Sequence, residues 1–110
     1  MVIIMEYKTL IVMPEICCSG IFNEDLIPID FNEIELPNTL KEELKSWVIF
    51  YDNDCHTPRH FQFKKEMANE LNKRGRNLAK KIKALYPEIR VLYRGEIDGD
   101  MLDYEEITGV

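Results

Sequence analysis

The chain has 110 residues, of which 45% are hydrophobic and 31% are charged, and this is sufficient for one domain with a packed core. Its formal net charge of −6 opposes binding to nucleic acid, and its first apolar stretch is too short to span a membrane. The three cysteines lack the spacing of a disulfide framework, and the first residues lack a secretory signal, so we expect a cytoplasmic protein with reduced thiols.

The first predicted element is a strand. Residues 4–13, IMEYKTLIVM, combine alternation with a β-branched apolar run, and Pro14 removes a ladder donor at their end. Residues 15–37 show no clean periodicity. We therefore expect a long loop here, which is either continuous or interrupted by a short strand at residues 26–29.

A first helix is predicted at about residues 39–52. Thr39, followed three positions later by Glu42, fits a capping box. One face of this helix is apolar and consists of Leu40, Leu44, Trp47, Val48 and Tyr51. Full burial of one such aliphatic side chain contributes ~1.5–3 kcal/mol, so we expect Leu44 and Trp47 to lie at the centre of the domain.

A second, longer helix is predicted at residues 57–86. Thr57 provides an N-cap, Pro58 fits the first turn and Pro87 ends the helix. Gly75 lies on the apolar stripe of this helix, where a glycine costs ~1 kcal/mol relative to alanine. We therefore expect either a close approach of the helix to another backbone or a kink at Gly75.

A second strand is predicted at residues 89–97, and the acidic tail that follows contains apolar residues that dock onto the domain or form a further strand. The order of elements predicts one α+β domain over residues 1–110. In this fold a small antiparallel sheet of the N- and C-terminal strands packs against a helical hairpin, although the pattern alone leaves the strand direction open.

The segment DCHTPRH, between the two helices, contains the candidates for chemistry. Cys55, His56 and His60 could supply three zinc ligands, with Cys17 or Cys18 as a fourth, but no CxxC pair is present, and the single HxxxH pair, His56 and His60, is a weak signal. A Cys–His nucleophilic pair needs a third group that orients the base, and adjacent positions at a helix start seldom provide that geometry. We interpret the segment as an interhelical turn, and expect no catalytic residues, no metal and no cofactor.

The charge is divided into three blocks along the chain. Residues 1–58 have a net charge of −8, residues 59–94 of +8 and residues 95–110 of −6. The basic stretch 72–83 could neutralise phosphates along a helix, but it contains no aromatic side chain for base stacking. We interpret it as a solvated helix face that is partly paired with acids of the loop or tail. A nucleic-acid-binding or regulatory module remains the alternative function.

Two acidic segments, NEDLIPIDFNEIE and GEIDGDMLDYEE, distribute carboxylates among Leu, Ile, Phe and Tyr. Neither has the carboxylate spacing of a calcium-binding loop. Such a surface suits a basic protein partner, because complementary potential steers the encounter. The alternative is a role in solubility alone.

Three segments, PEICCSGIF, IELPNTLKEELKSWVIFYD and GRNLAKKIKALYPEIRVLY, carry a resemblance to a known group. A Cys-Ser-Gly turn precedes a helix with an L-P-x-x-L pattern, and a later G-R-x-L-A helix precedes a V-x-Y strand. Over residues 14–96 the chain resembles small acidic bacterial cytoplasmic proteins that are similar to immunity proteins of contact-dependent growth inhibition systems. The resemblance implies a protein that neutralises a toxin domain.

Our functional hypothesis is therefore a non-enzymatic inhibitor, which binds a cognate toxin domain in the cytoplasm and occludes its active site. Nuclease toxins are basic where they hold phosphate, so acidic side chains of this chain could imitate a nucleic-acid backbone. The oligomeric state is left open by the sequence. The predicted partner-binding residues are Phe22, Glu24, Asp25, Asp98, Asp100, Asp103 and Tyr104.

Overall fold

The computed structural model describes residues 7–15, 18–52, 65–97 and 100–108. Within them lie four strands and two helices, which confirms the α+β class. The elements are β1 (Thr9–Val12), β2 (Ile21–Phe22), α1 (Asn38–Phe50), α2 (Lys65–Leu85), β3 (Arg90–Ile97) and β4 (Asp100–Ile107). Neither of the described helices is long and apolar enough to cross a membrane.

The strands form one mixed sheet with the order β2-β1-β3-β4. The expectation of a wholly antiparallel sheet is corrected, because β1 and β3 are parallel, with Thr9 opposite Arg90 and Val12 opposite Tyr93. Both helices lie in the connection between these two strands, which is long enough to return the chain to the starting end of the sheet. The outer pairs, β1 with β2 and β3 with β4, are antiparallel.

One face of the sheet packs against the two helices and forms the main core. Leu10, Val12, Val91 and Tyr93 contribute to this core from the central strands. The prediction for Trp47 is confirmed: its side chain is fully buried, and its indole N–H donates a hydrogen bond of 2.8 Å to the carbonyl of Leu71. This bond satisfies the single polar atom of a large apolar side chain. Leu44 is also fully buried, as predicted.

Gly75 confirms the predicted close approach, although its neighbours are side chains and not a backbone. A Cβ atom at this position would lie 2.6 Å from Cζ2 of Trp47 and 2.7 Å from the hydroxyl of Tyr93. Real Cβ atoms are not found this close to other heavy atoms. The missing side chain therefore allows α2 to rest directly on two buried aromatic rings.

The predicted capping box at the start of α1 is wrong. The residue before the first turn of α1 is Pro37, and it provides no side-chain capping bond. Thr39 lies inside the first turn and cannot form the capping box, since a capping side chain must precede the helix.

For residues 15–37 the sequence leaves two alternatives, a continuous loop or a loop with a short strand at residues 26–29. In the structure these four residues contribute one isolated bridge, Phe22 to Pro28, and no strand. Thr57 and Pro58, the predicted start of α2, lie outside the described residues.

Candidate partner-binding surface

The acidic loop, which we define as residues 23–37, is the main concentration of unneutralised charge on the described surface. It contains no basic residue and five carboxylates, all of them exposed. Among the described residues, no ion pair involves any of the five. The carboxylates are Glu24, Asp25, Asp30, Glu33 and Glu35.

The acidic loop is fixed to the domain by its apolar side chains. Ile29 and Ile34 are 2% exposed and Leu36 is 5% exposed, and all three belong to the main core. The backbone of Ile29 also donates a 2.9 Å hydrogen bond to the carbonyl of Ile21 in β2. From Ile29 onwards, the apolar residues Ile29, Ile34 and Leu36 therefore point into the core, while the carboxylates between them remain in solvent.

The tip of the acidic loop is organised by one asparagine. The side-chain oxygen of Asn23 accepts hydrogen bonds from the backbone N–H of Asp25 at 2.8 Å and of Ile27 at 3.0 Å. The backbone of Asn23 donates to the carbonyl of Ile27 and accepts from the N–H of Leu26, both at 3.0 Å. This is the behaviour that favours asparagine at turns. As a result the predicted contact residues Glu24 and Asp25 lie at a well-defined tip.

The β4 surface, which we define as the exposed side chains of Asp100, Asp103, Tyr104, Glu105 and Glu106, is partly neutralised from within the molecule. Arg76 of α2 lies 2.9 Å from Glu105, and the hydrogen bond that its guanidinium donates to this carboxylate raises the pKa of Arg76. Arg90 of β3 lies 2.9 Å from Glu106.

The side chain of Tyr104 also contacts another residue of this protein. The guanidinium of Arg94 lies 4.7 Å from the centre of the Tyr104 ring, and its Nε–H donates to the carbonyl of Leu102 at 2.9 Å. Tyr104 nevertheless remains 42% exposed. Of the four acids on β4, only Asp100 and Asp103 have no ion pair among the described residues. The β4 surface is therefore less electronegative than its sequence indicates.

The structure separates the predicted contact residues into two groups. Glu24 accepts a hydrogen bond from the N–H of Thr9 at the start of β1, whereas Asp100 pairs with Ile97 at the end of β3. From the normal spacings in sheets, Glu24 and Asp100 are about 14 Å apart across the strands and about 23 Å apart along them. Tyr104 pairs with Arg94 and is therefore only about 13 Å from Glu24 along the strands. Glu24 and Asp100 lie at opposite corners of the sheet, and Asp98 lies outside the described residues.

Phe22, predicted as an apolar contact, is only 3% exposed. It packs with Ile11 and Met13 in a second, smaller hydrophobic cluster. Its position next to the acidic loop is as the sequence suggests, but its ring contributes to the interior. Two other apolar side chains of this loop are exposed, Leu26 at 45% and Ile27 at 57%, and neither is among the predicted contacts. The turn-favouring residue Asn23 is the sequence feature that could have indicated this exposed tip.

Several basic side chains of the stretch on α2 contact other groups of this protein. The expected pairing with the tail is confirmed by the ion pair of Arg76 with Glu105. Other bases have contacts that were not predicted: Lys81 lies 2.8 Å from Glu43 of α1, and the Arg74 guanidinium lies 4.8 Å from the centre of the Phe50 ring. These intramolecular contacts leave fewer basic side chains of α2 available to bind phosphate than its composition suggests.

A buried polar network connects both helices with β3. The hydroxyl of Tyr51 donates to the carboxylate of Glu96 at 2.7 Å, and the hydroxyl of Tyr93 donates to the side-chain oxygen of Asn72 at 2.7 Å. Asn72 also contacts the backbone of Glu96, and burial raises the pKa of Tyr93 above its ordinary value. Because these groups are enclosed, we assign the network to the stability of the core.

The segment with the zinc and nucleophile candidates, Cys55, His56 and His60, lies outside the described residues. Elsewhere, within the part of the chain that the structure describes, no group of three or more His, Cys, Asp or Glu side chains could hold a metal ion. Cys18 is of intermediate burial, and its thiol donates a hydrogen bond to the carbonyl of Glu15 at 3.7 Å.

Comparison with known proteins gives one match. A family model described as Serratia CdiI immunity protein-like matches residues 8–96, which include both helices and the first three strands. No curated protein and no solved structure gives a significant match. The matched range includes the acidic loop and ends before β4.

Proposed function

Because the chain belongs to the Serratia CdiI immunity protein-like family, we propose that it neutralises a cognate toxin in the cytoplasm by covering the active site of the toxin's catalytic domain. Membership of this family supports immunity, the neutralisation of a toxin, as the general activity. Our more specific proposal is that the toxin is a nuclease. On this proposal the inhibitor acts by binding alone and carries out no chemistry.

The observation that supports this proposal is the acidic loop, with five exposed carboxylates and no ion pair among the described residues. A nuclease must hold phosphates, so its active site is expected to be basic. Complementary potential accelerates the encounter of two such surfaces and disfavours wrong partners. The loop is also anchored by buried side chains, so it can meet the toxin without a large loss of conformational entropy.

We propose Glu24 and Asp25 as the principal electrostatic contacts, with Asp100, Asp103 and Tyr104 as a weaker second surface. The two acids of the loop tip form no ion pair among the described residues. The β4 surface, in contrast, is accompanied by Arg76 and Arg90. A basic toxin surface would therefore meet a stronger potential at the tip of the acidic loop.

A pair of charge-matched variants tests this ranking. E24K/D25K and D100K/D103K each change the formal net charge from −6 to −2, so any effect of total charge is common to both. We expect E24K/D25K to weaken binding to the toxin domain encoded by the neighbouring gene by more than about tenfold, or about 1.4 kcal/mol, at low salt. D100K/D103K should have a smaller effect. Equal losses in both variants would contradict the ranking.

The function itself is tested with the unmodified protein. Cells that express the neighbouring toxin domain should survive when this chain is coexpressed, and the purified complex should not cleave RNA or DNA that the toxin domain alone cleaves. Failure to bind and to rescue would refute the immunity function for that toxin. A complex that forms but still cleaves its substrate would refute active-site occlusion while leaving the binding intact.

A further inference from the structure

Leu26 and Ile27 form an exposed aliphatic pair at the tip of the acidic loop. Leu26 is 45% exposed and Ile27 is 57% exposed, and neither is a member of either hydrophobic cluster of the described residues. They directly follow the two unneutralised carboxylates Glu24 and Asp25. The tip thus combines an apolar projection with negative charge.

The backbone at Leu26 adopts a conformation that is unfavourable for leucine. Its φ is 63°, in the left-handed region that glycine or asparagine normally occupies. The turn from Asn23 to Leu26 places this residue where hairpin loops usually have a glycine. Membership of a described hydrophobic cluster does not account for a large aliphatic side chain at this position. A strained residue of this kind raises a hypothesis of function.

Hydrogen bonds within the free protein also fix the backbone conformation of the tip. Asn23 fixes the backbone on both sides of Leu26 through the N–H groups of Asp25 and Ile27. A side chain presented on such a turn loses little freedom when it is bound, and this favours affinity. Apolar anchors that enter a pocket and are surrounded by a polar rim are the usual energetic centre of protein interfaces.

We propose that Leu26 and Ile27 are the apolar anchor of the toxin complex. They enter an apolar pocket of the toxin domain whose rim carries Lys or Arg side chains, and these meet Glu24 and Asp25. This inference rests on the proposed function and identifies its contact centre. A symmetric dimer through this tip is disfavoured, because two acidic loops would bring like charges together.

Leu26→Asn tests the proposal, since asparagine tolerates left-handed backbone and removes the apolar anchor. We expect the dissociation constant for the toxin domain to rise at least tenfold, while the melting temperature is unchanged or higher. Ile27→Ala should also weaken binding. Leu85→Asn is the matched control, because Leu85 is 44% exposed on α2, and it should change the dissociation constant less than twofold.

Salt distinguishes the anchor from the charges around it. The loss of affinity in Leu26→Asn should persist at about 0.5 M salt, where the effect of E24K/D25K is largely screened. Leu26→Asn binding with wild-type affinity would overturn the anchor, and so would a loss of binding that only accompanies a lower melting temperature. Failure of the wild-type chain to bind the toxin domain would instead refute the proposed function.

Discussion

Two residues of the described chain have a positive φ for opposite physical reasons. Gly20, with φ of 87°, needs glycine: an added Cβ would lie 3.2 Å from the Trp47 ring and 3.3 Å from Val48. Leu26, with φ of 63°, is 45% exposed, and a leucine there adds strain without becoming a member of either hydrophobic cluster. Left-handed backbone thus allows tight packing at Gly20 and, on our proposal, presents Leu26 to the toxin.

Substitutions at these two positions should therefore change stability in opposite directions. Gly20→Ala should lower the free energy of unfolding by about 1–3 kcal/mol, since left-handed strain and a close contact add together. Leu26→Gly should raise it by up to about 1 kcal/mol, because relief of ~1–2 kcal/mol of strain is partly offset by the greater freedom of glycine in the unfolded chain. Urea denaturation measures both. A destabilised Leu26→Gly variant would show that Leu26 has a structural role.

The sequence predicted residue burial well where a long periodic pattern existed. Leu44 and Trp47 lie on a helical stripe of several turns, and both are fully buried as expected. Phe22 belongs to a strand of only two residues, so no alternation could indicate which face it occupies. The positive φ of Leu26 arises from the turn held by Asn23, and leucine itself gives no signal for this conformation.

At the scale of elements, α2 is placed by a contact at its middle. Gly75 rests on the rings of Trp47 and Tyr93, and these rings lie 6.2 Å apart between their centres. α2, α1 and β3 therefore meet at this one contact. The sequence predicted that Gly75 marks a close approach, but the identity of the neighbours depended on how three separate elements pack.

Gly75→Ala should destabilise the domain even though alanine favours helix. The gain in helix propensity is ~1 kcal/mol, whereas forcing a methyl group into a well-packed core costs typically ~1–3 kcal/mol and occasionally more. We expect a net loss of about 1–2 kcal/mol in the free energy of unfolding from urea denaturation. Asn77→Ala, at an exposed position of the same helix, should be neutral or slightly stabilising. Equal stability of both variants would contradict the tight packing at Gly75.

The strands show which features of the fold the sequence pattern specifies and which it does not. Alternation predicted residues 89–97, and β3 extends over Arg90–Ile97. The tail left two alternatives, docking or a strand, because β4 is an edge strand with mostly exposed side chains. The direction of β1 relative to β3 depends on the path of the chain through the two helices, which periodicity within a strand does not encode.

At the scale of the whole molecule, the fold redistributes the charge that the sequence divides into blocks. Arg76 and Glu105 are 29 positions apart along the chain, and Lys81 and Glu43 are 38 apart, yet each pair forms a close ion pair. Segment charge alone indicated two equivalent acidic surfaces. Only the packing of α2 beside β4 and α1 shows that the acidic loop remains without such pairing among the described residues.

The positions of the two acidic groups lead to a prediction about the footprint of the toxin. β2 and β4 are opposite edges of the sheet, so a toxin centred on the acidic loop should cover this loop more completely than the β4 surface, which is the weaker second surface of our proposal. Saturation with the toxin domain should therefore slow amide hydrogen exchange in residues 23–27 more than in residues 100–107. D100K/D103K should retain this protection. Slower exchange confined to β4 would move the binding surface to the opposite corner of the sheet and exclude Leu26 as the anchor.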